Sequence, residues 1–595
     1  MPKDQPNCFF CTMKESDILV RRAGITNYLR NMHQIDDQEL VLVLSGLWSI
    51  AMTEPEDGEL PSLGIFECMA SLIEKCVNDV EWLLSNQNIY IPYYAAHIIG
   101  SYTINNVDLA VKAVDAGVIP PLLELLRGKM SWIEQRVAVR ALGHLASYEK
   151  TFKAIAMHEE EVVRLAMHLA STCVETVYDM FVGVKDRSKR LRYHCDLLTR
   201  GVGLGDLEIE NRKAEEWTSQ LQCWCLHLLN CFAIKGRSLD LICKPEFLKD
   251  LCEMWGGLSN CTSPSGVGLI RILCYSKVGR RRISEAKQVI ENLCNLSRSS
   301  DDWQYIGIDC LLLLLKDPET RYKTIEVATS YLIDLIELRD IGGRSNVGET
   351  IKRTLLGDFQ FRNSKIIKNC EVQRALEGTW NFHIRKRTTE KTVSDEKAEE
   401  QRILVALIKQ EGNHSFGLGR IQEALEKYTE GLELCPLRFK KERTVLYSNR
   451  AQCYLLIREP DAAISDSTRA LCLSTPPNSH CKSLWRRSQA YDMKGLAKES
   501  LMDCIMFVNC SIKSDQPTKQ HVKIPYYAVR MISKQMDSTW LFKAAQLKMI
   551  SKCTKTQEVQ SLEDDDDIRI HQEKLPSLRI CMQKKGVMAG SIKLS

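Results

Sequence analysis

Residues 117–127 read GVIPPLLELLR, and this stretch decides the fold. Leu122, Leu123, Leu125 and Leu126 fall on one face of a helix, and the tandem Pro120-Pro121 suits a helix start, where a missing N–H is harmless. The aliphatic pair recurs along the chain. Val162-Val163 follows Leu122-Leu123 after 40 residues, Phe247-Leu248 after a further 85, Val289-Ile290 after 42 and Leu332-Ile333 after 43. The interval of 85 is close to two periods, so one repeat is irregular there. Between the pairs lie further helical patterns. Residues 136–147 bury Val137, Leu142 and Leu145 on one stripe, with small Ala138, Ala141 and Gly143 permitting close helix approach. In the same register, residues 93–103, 223–233, 267–275 and 303–315 are expected as the inner helices of successive repeats. Residues 186–192 and 201–210 are expected as a charged or glycine-rich insertion.

A helical repeat of about 42 residues identifies a stacked α-solenoid. The segment resembles an armadillo array, and GVIPPLLELLR is its most specific piece. The expected solenoid runs from 35 to 375, after an N-terminal segment 1–34.

Composition supports a protein with sizeable cores. Of 595 residues, 44% are hydrophobic, which excludes wholesale disorder. Eighty basic residues against 76 acidic ones leave a net charge of +4, which argues against a general polyanion binder. The densest apolar run, Cys310 to Leu315, stops at Lys316, well short of a membrane span. MPKDQPNCFF lacks the apolar centre of a signal peptide. The 24 cysteines are therefore expected as reduced, mostly buried thiols, and the protein as cytoplasmic. The basic run 383–391 and the polar, charged run 392–400 are expected as a charged linker, 376–401, or the start of a new helix, and leave a nuclear address open.

From Val405 the period shortens to about 34. Gly412, Ala424, Tyr428, Gly431 and Pro436 match the tetratricopeptide (TPR) pattern of small and aromatic helix contacts. Ala451, Tyr454, Ala463 and Ala470 form a second copy, and Ser488, Tyr491 and Ser500 a weaker third, with Cys504 where an aromatic is common. Three repeats over 402–514 need a polar-faced cap, expected within 515–548 and centred on 526–547. Residues 549–595, with the acidic run Glu563 to Asp567, are expected as a disordered tail. The overall expectation is all-α: an armadillo/HEAT-like solenoid, then a three-repeat TPR solenoid with a capping helix.

The outward polar residues of the second array carry the functional reading. Lys409 and Asn413 are four apart, as are Lys482 and Arg486, and each pair shares a helix face. Like charges at that spacing and an asparagine inside a helix, Asn449, both bend local rules toward one surface. A solvated basic face would look similar. However, Lys409-x-x-Gly412-Asn413, Ser448-Asn449-Arg450-Ala451 and Lys482-x-x-x-Arg486 together resemble the carboxylate-clamp TPR domain of heat-shock co-chaperones. The resemblance implies that Lys409, Asn413, Asn449 and Lys482 hold the two carboxylates of a terminal aspartate, while Arg486 reaches the residues just upstream. Cations and amide donors suit paired carboxylates on physical grounds as well. The joining of both repeat types resembles the myosin-chaperone family, although there the TPR part comes first. The order found here resembles a plant-type armadillo/TPR fusion.

Other features are set aside. Cys8-x-x-Cys11 has zinc spacing but no second pair, with His33, Cys68 and Cys76 scattered, so no metal or other cofactor is expected. Cys223-x-Cys225 reads as core. His144 stands where import receptors carry asparagine, so their Trp/Asn ladder is missing. Arg280-Arg281-Arg282 and Lys189-Arg190 are expected as solvated patches, and no aromatic/basic stripe for nucleic acid is apparent. No catalytic motif stands in a suitable context. The expectation is a non-enzymatic adaptor. Its TPR clamp would bind the C-terminal tail of heat-shock protein 90 or 70, and its armadillo groove a protein client, with neither nucleic acid nor membrane as a partner. The alternative is a non-chaperone scaffold, such as a ubiquitin-ligase adaptor for another acidic tail.

Overall fold

The computed structural model describes residues 9–34, 39–199, 207–254, 265–300, 303–341, 343–360, 367, 369–514 and 524–538. Among these residues there is no strand, only an isolated antiparallel bridge between Ile341 and Arg344. No helix among them is long and apolar enough to cross a membrane. The chain is an all-α solenoid of armadillo- and TPR-type repeats.

In the first array six helices stack in series: α1 (Glu39–Thr53), α2 (Ile91–Thr103), α3 (Trp132–Ser147), α4 (Leu207–Ile234), α5 (Gly266–Tyr275) and α6 (Gln304–Lys316). The helix opened by GVIPP spans Ile119–Leu126, with proline at its first positions and all four leucines buried. α3 starts with a capping box, in which Ser131 and Glu134 exchange hydrogen bonds. Its small residues do allow close packing: a Cβ on Gly143 would lie 3.0 Å from the His227 ring of α4.

The irregular repeat differs from expectation. Residues 207–210 are the first turn of α4, while 201–206 lie outside the described residues. Arg187 and Arg190 turn onto the buried Glu210 carboxylate, at 2.7 and 3.0 Å, so Arg190 is core and not a solvated cation. Arg280 is likewise paired, with Asp317 at 2.6 Å. In both cases a carboxylate distant in sequence supplies the partner that local reading could not see.

The second array comprises α7 (Asp395–Gly417), α8 (Ile421–Leu434), α9 (Lys440–Leu456), α10 (Pro460–Leu473), α11 (Cys481–Met493) and α12 (Ala497–Ser514). A further helix, α13 (Tyr526–Ser538), covers Leu501, Cys504 and Val508 with Ala528 and Ile532. Residues 539–595, including the rest of the expected cap and the acidic run, lie outside the described residues, as does Cys8. Of the two readings of 376–401, linker or start of a new helix, the segment takes the helical one: it is helical up to Glu390, apart from a π-type turn at Asn381–Arg385, and helical again from Asp395. Its charges serve as caps. Lys386 donates to the carbonyls of Glu433 and Cys435 at 2.6 and 2.9 Å, in the last turn of α8 and at its C-cap.

Helices of the second array also rest on the first. Asp334, fully buried, accepts from Arg298 of its own array and from Ser465 and Arg469 of α10, the latter two at 2.7 and 2.9 Å. Arg443 of α9, fully buried, meets Glu337 at 2.7 Å. Arg487 reaches Ser300, and Asn478 donates to Gln304 at 2.8 Å. Cys472 joins the apolar core of the first array. Burial works to raise the Glu337 carboxyl, but the neighbouring Arg443 guanidinium outweighs it and holds the group below the usual carboxylate range.

Replacing Asp334 with alanine strands two guanidiniums, Arg298 and Arg469, without their shared anion. Breaking a buried pair costs about 3–5 kcal/mol. Calorimetry of Asp334→Ala should show a lowered unfolding midpoint and a split of the two arrays into separate transitions. An unchanged single transition would show that the apolar contacts alone hold them. The Glu337–Arg443 contribution is complete above the unfolded carboxylate value of about 4.3, and fades as pH falls through the lower folded value.

Candidate peptide-carboxylate site

The site is built on the first helix of each TPR pair. Gly412 of α7 is forced by packing: a Cβ there would sit 2.8 Å from the Tyr428 ring of α8, so the ring lies directly against the α7 backbone. That approach delivers the Tyr428 hydroxyl to the next residue, where it donates to Asn413 Oδ1 at 2.8 Å. Burial pushes the phenol up to about 12, so it remains a protonated donor. Asn449 Nδ2 of α9 donates to the same oxygen at 3.2 Å. With two donors on its carbonyl, Asn413 turns its NH2 group outward, and this group has no partner among the described residues.

Arg486 ties α11 to α9. Its Nη1 donates to the Ser448 carbonyl and hydroxyl, both at 2.6 Å, and its Nε to Gln452 Oε1 at 3.0 Å. Burial lowers its pKa from the ordinary value. Among the described residues it has no carboxylate partner. Lys409, half-buried, lies one turn from Asn413, and Lys482, exposed, one turn from Arg486. Neither lysine has a hydrogen bond or ion pair among the described residues. The structure thus brings Asn413 and Asn449 into contact and pins Arg486 beside them through Ser448. Lys409 and Lys482 keep their charges uncommitted.

Sequence reading missed the supports. Tyr428 was legible as a packing residue but not as the group that orients Asn413, Ser448 was legible as a motif position but not as the acceptor that holds Arg486, and Gln452 carried no signal. Two buried pairs, Arg450–Asp466 and Arg487–Asp503, both at 2.7 Å, hold the second and third helix pairs together. Arg450 also donates to Thr429 at 3.0 Å, and Arg487 to Thr468 at 3.1 Å, so each arginine reaches back to the previous repeat. The recurring Arg-to-Asp spacing of 16 was a signal available in the sequence.

The family described as plant ARM repeat matches residues 1–244. Protein unc-45 homolog B of Danio rerio is 35% identical over 88 residues, covering 15% of this chain and 9% of that protein. The DnaJ homolog subfamily C member 7 homolog of Schizosaccharomyces pombe is 36% identical over 95 residues, covering 16% and 19%. The chain thus spans less than a fifth of the length of these curated relatives. Among solved structures, a designed armadillo repeat protein aligns at a TM-score of 0.23 and 12% identity, covering 59% of this chain and 98% of that one.

Tyr428→Phe tests the orienting role of the phenol. It removes one hydrogen bond and keeps the ring against Gly412, so stability should fall by only about 0.5–1.5 kcal/mol. Amide NMR of the Asn413 side chain should broaden or shift as its carbonyl loses a donor. An unmoved Asn413 signal would mean that Asn449 alone sets its orientation.

Proposed function

We propose that this protein is a co-chaperone adaptor. Its TPR array binds the C-terminal Glu-Glu-Val-Asp tail of heat-shock protein 90 or 70, and its armadillo array holds a client or second partner. The observation that carries this reading is the convergence at Asn413 Oδ1. It turns an amide donor outward on a face that also holds Lys409, Lys482 and Arg486 without any carboxylate among the described residues.

A terminal aspartate presents two carboxylates, more than any internal residue can offer. Lys409 and Asn413 would share one, and Asn449 and Lys482 the other. Arg486, restrained by Ser448 and Gln452, would meet the backbone or acidic side chains upstream. Charge-assisted hydrogen bonds of this kind are short and about twice as strong as neutral ones. Restraining donors before the peptide arrives also reduces the entropy lost on binding.

The test is calorimetry with peptides ending in Glu-Glu-Val-Asp, free or C-terminally amidated. Lys482→Ala should weaken binding of the free peptide roughly ten- to hundred-fold, the effect of one charge-assisted hydrogen bond of about 1.5–3 kcal/mol. Its unfolding midpoint should be unchanged, because the lysine is exposed. Amidation should mimic the substitution, and the two losses should not add if both remove one contact. Raised salt should weaken the wild type more than the variant. Equal affinity in all four combinations would reduce the array to a solvated basic face.

A further inference from the structure

Across α1 to α4 the armadillo array carries a stripe that the sequence did not reveal, because its members come from four separate helices. Trp48 (α1), Arg140 (α3), and Trp217 and Trp224 (α4) each remain partly exposed. Beneath them Tyr93 and His97 (α2) and Arg136 and His144 (α3) are buried. Arg136 lies over the Trp217 ring at 3.8 Å, and that ring stacks parallel to Tyr93. His144 donates to the Gly100 carbonyl at 2.8 Å and meets the Trp224 ring edge-on.

Like Arg486, and unlike the other guanidiniums discussed above, these two arginines have no carboxylate partner among the described residues. Arg136 has a neutral acceptor, Gln220 Oε1 at 2.7 Å, and its Nε is buried with no partner among the described residues. Arg140 lies over the Trp224 ring at 6.0 Å and comes within hydrogen-bond distance of His97 Nδ1, at 3.4 Å, a nitrogen that already accepts from Trp48 at 3.0 Å. Neither arginine has a carboxylate within ion-pair distance among the described residues. Glu216, one of the two acids whose charges act on Arg136, is held by Lys213 at 3.0 Å. Two repeats further on, Arg271 of α5 has Asp309 at 3.0 Å. Like charges four apart on a helix repel, and a desolvated charge without a counter-ion is costly. The fold retains both costs here, as it does at Lys482 and Arg486 of the candidate TPR site. An arriving anion would relieve them.

We propose that this stripe is a binding site for an extended acidic peptide segment, with a carboxylate of the segment placed on Arg140 between the Trp48 and Trp224 rings. Four helices at spacings of about 8–10 Å give a track of roughly 25–30 Å. An extended chain covers it with about eight residues. Buried His97 and His144 remain neutral beside the arginines and add no charge of their own, since burial and the guanidinium of Arg140 lower both, His144 to about 3. The proposal deepens the partner-holding role assigned above to the armadillo array.

The test uses the full chain carrying Lys482→Ala, so that capture at the TPR face does not contribute. The probes are C-terminally amidated nonapeptide pools, randomised except for a central Asp-Asp, Glu-Glu, Asn-Asn or Gln-Gln pair. The acidic pools should be retained about tenfold better than the amide pools, and the preference should vanish in Arg140→Gln. Because the comparison of pools is made on the unaltered armadillo array, it decides the matter even if Arg140→Gln unfolds. Equal retention of acidic and amide pools, or an undiminished preference in a folded Arg140→Gln protein, would overturn the proposal. Displacement of the acidic pools by equimolar oligothymidylate would overturn the assignment to a peptide. Failure of the clamp would leave this preference intact, so the two readings fall separately.

Discussion

A guanidinium taken out of water has to be met by an acceptor, and much of this architecture is arranged around that constraint. Arg450 and Arg487 are each held by an aspartate 16 residues on and by a threonine of the preceding repeat. Each contact therefore fixes both a helix pair and the stacking of one repeat on the last. Arg443, Arg469 and Arg487 carry the same requirement across to the armadillo array, where Glu337, Asp334 and Ser300 answer it. Hydrogen-bonded charge pairs are poor sources of net stability but strict about geometry. Apolar contacts such as Cys472 in the first array's core supply adhesion, while the ions specify one register among many that apolar surfaces would tolerate.

What was legible in the sequence follows from the range of each interaction. Inner helices at 136–147, 267–275 and 303–315 were readable because apolar periodicity is local, and they appear within a few residues as α3, α5 and α6. Gly412 and Tyr428 were readable as partners because the TPR repeat places them in adjacent helices. At residues 383–391 linker and helix could not be told apart from local sequence, because the charges find their partners far along the chain: Lys386 caps α8 and Glu390 accepts from the Leu437 N–H at 2.9 Å. Arg190 was misread for the same reason, its partner Glu210 being 20 residues away. The stripe around Arg140 was invisible because Trp48, His97 and Trp224 are brought together only by stacking.

Adjacent residues on the TPR helices have divided tasks. Asn449 faces the candidate site and Arg450 the helix pair behind it; Arg486 contacts Ser448 and Gln452, while Arg487 meets Asp503 and Ser300. On a helix, neighbours in sequence diverge by about 100°, so one turn can serve two surfaces. The consequence is mechanical. Any rotation of α11 that moves Arg486 toward a peptide must also move Arg487, whose carboxylate and hydroxyl partners lie on different elements. The site is therefore held at the geometry that the inter-array contacts allow. A peptide that fits without rotating α11 leaves the Ser300 contact intact, whereas one that demands rotation must break a buried, charge-assisted pair. Under the proposed function, selectivity at the TPR face would thus depend on the armadillo array as well as on the five residues proposed to line it.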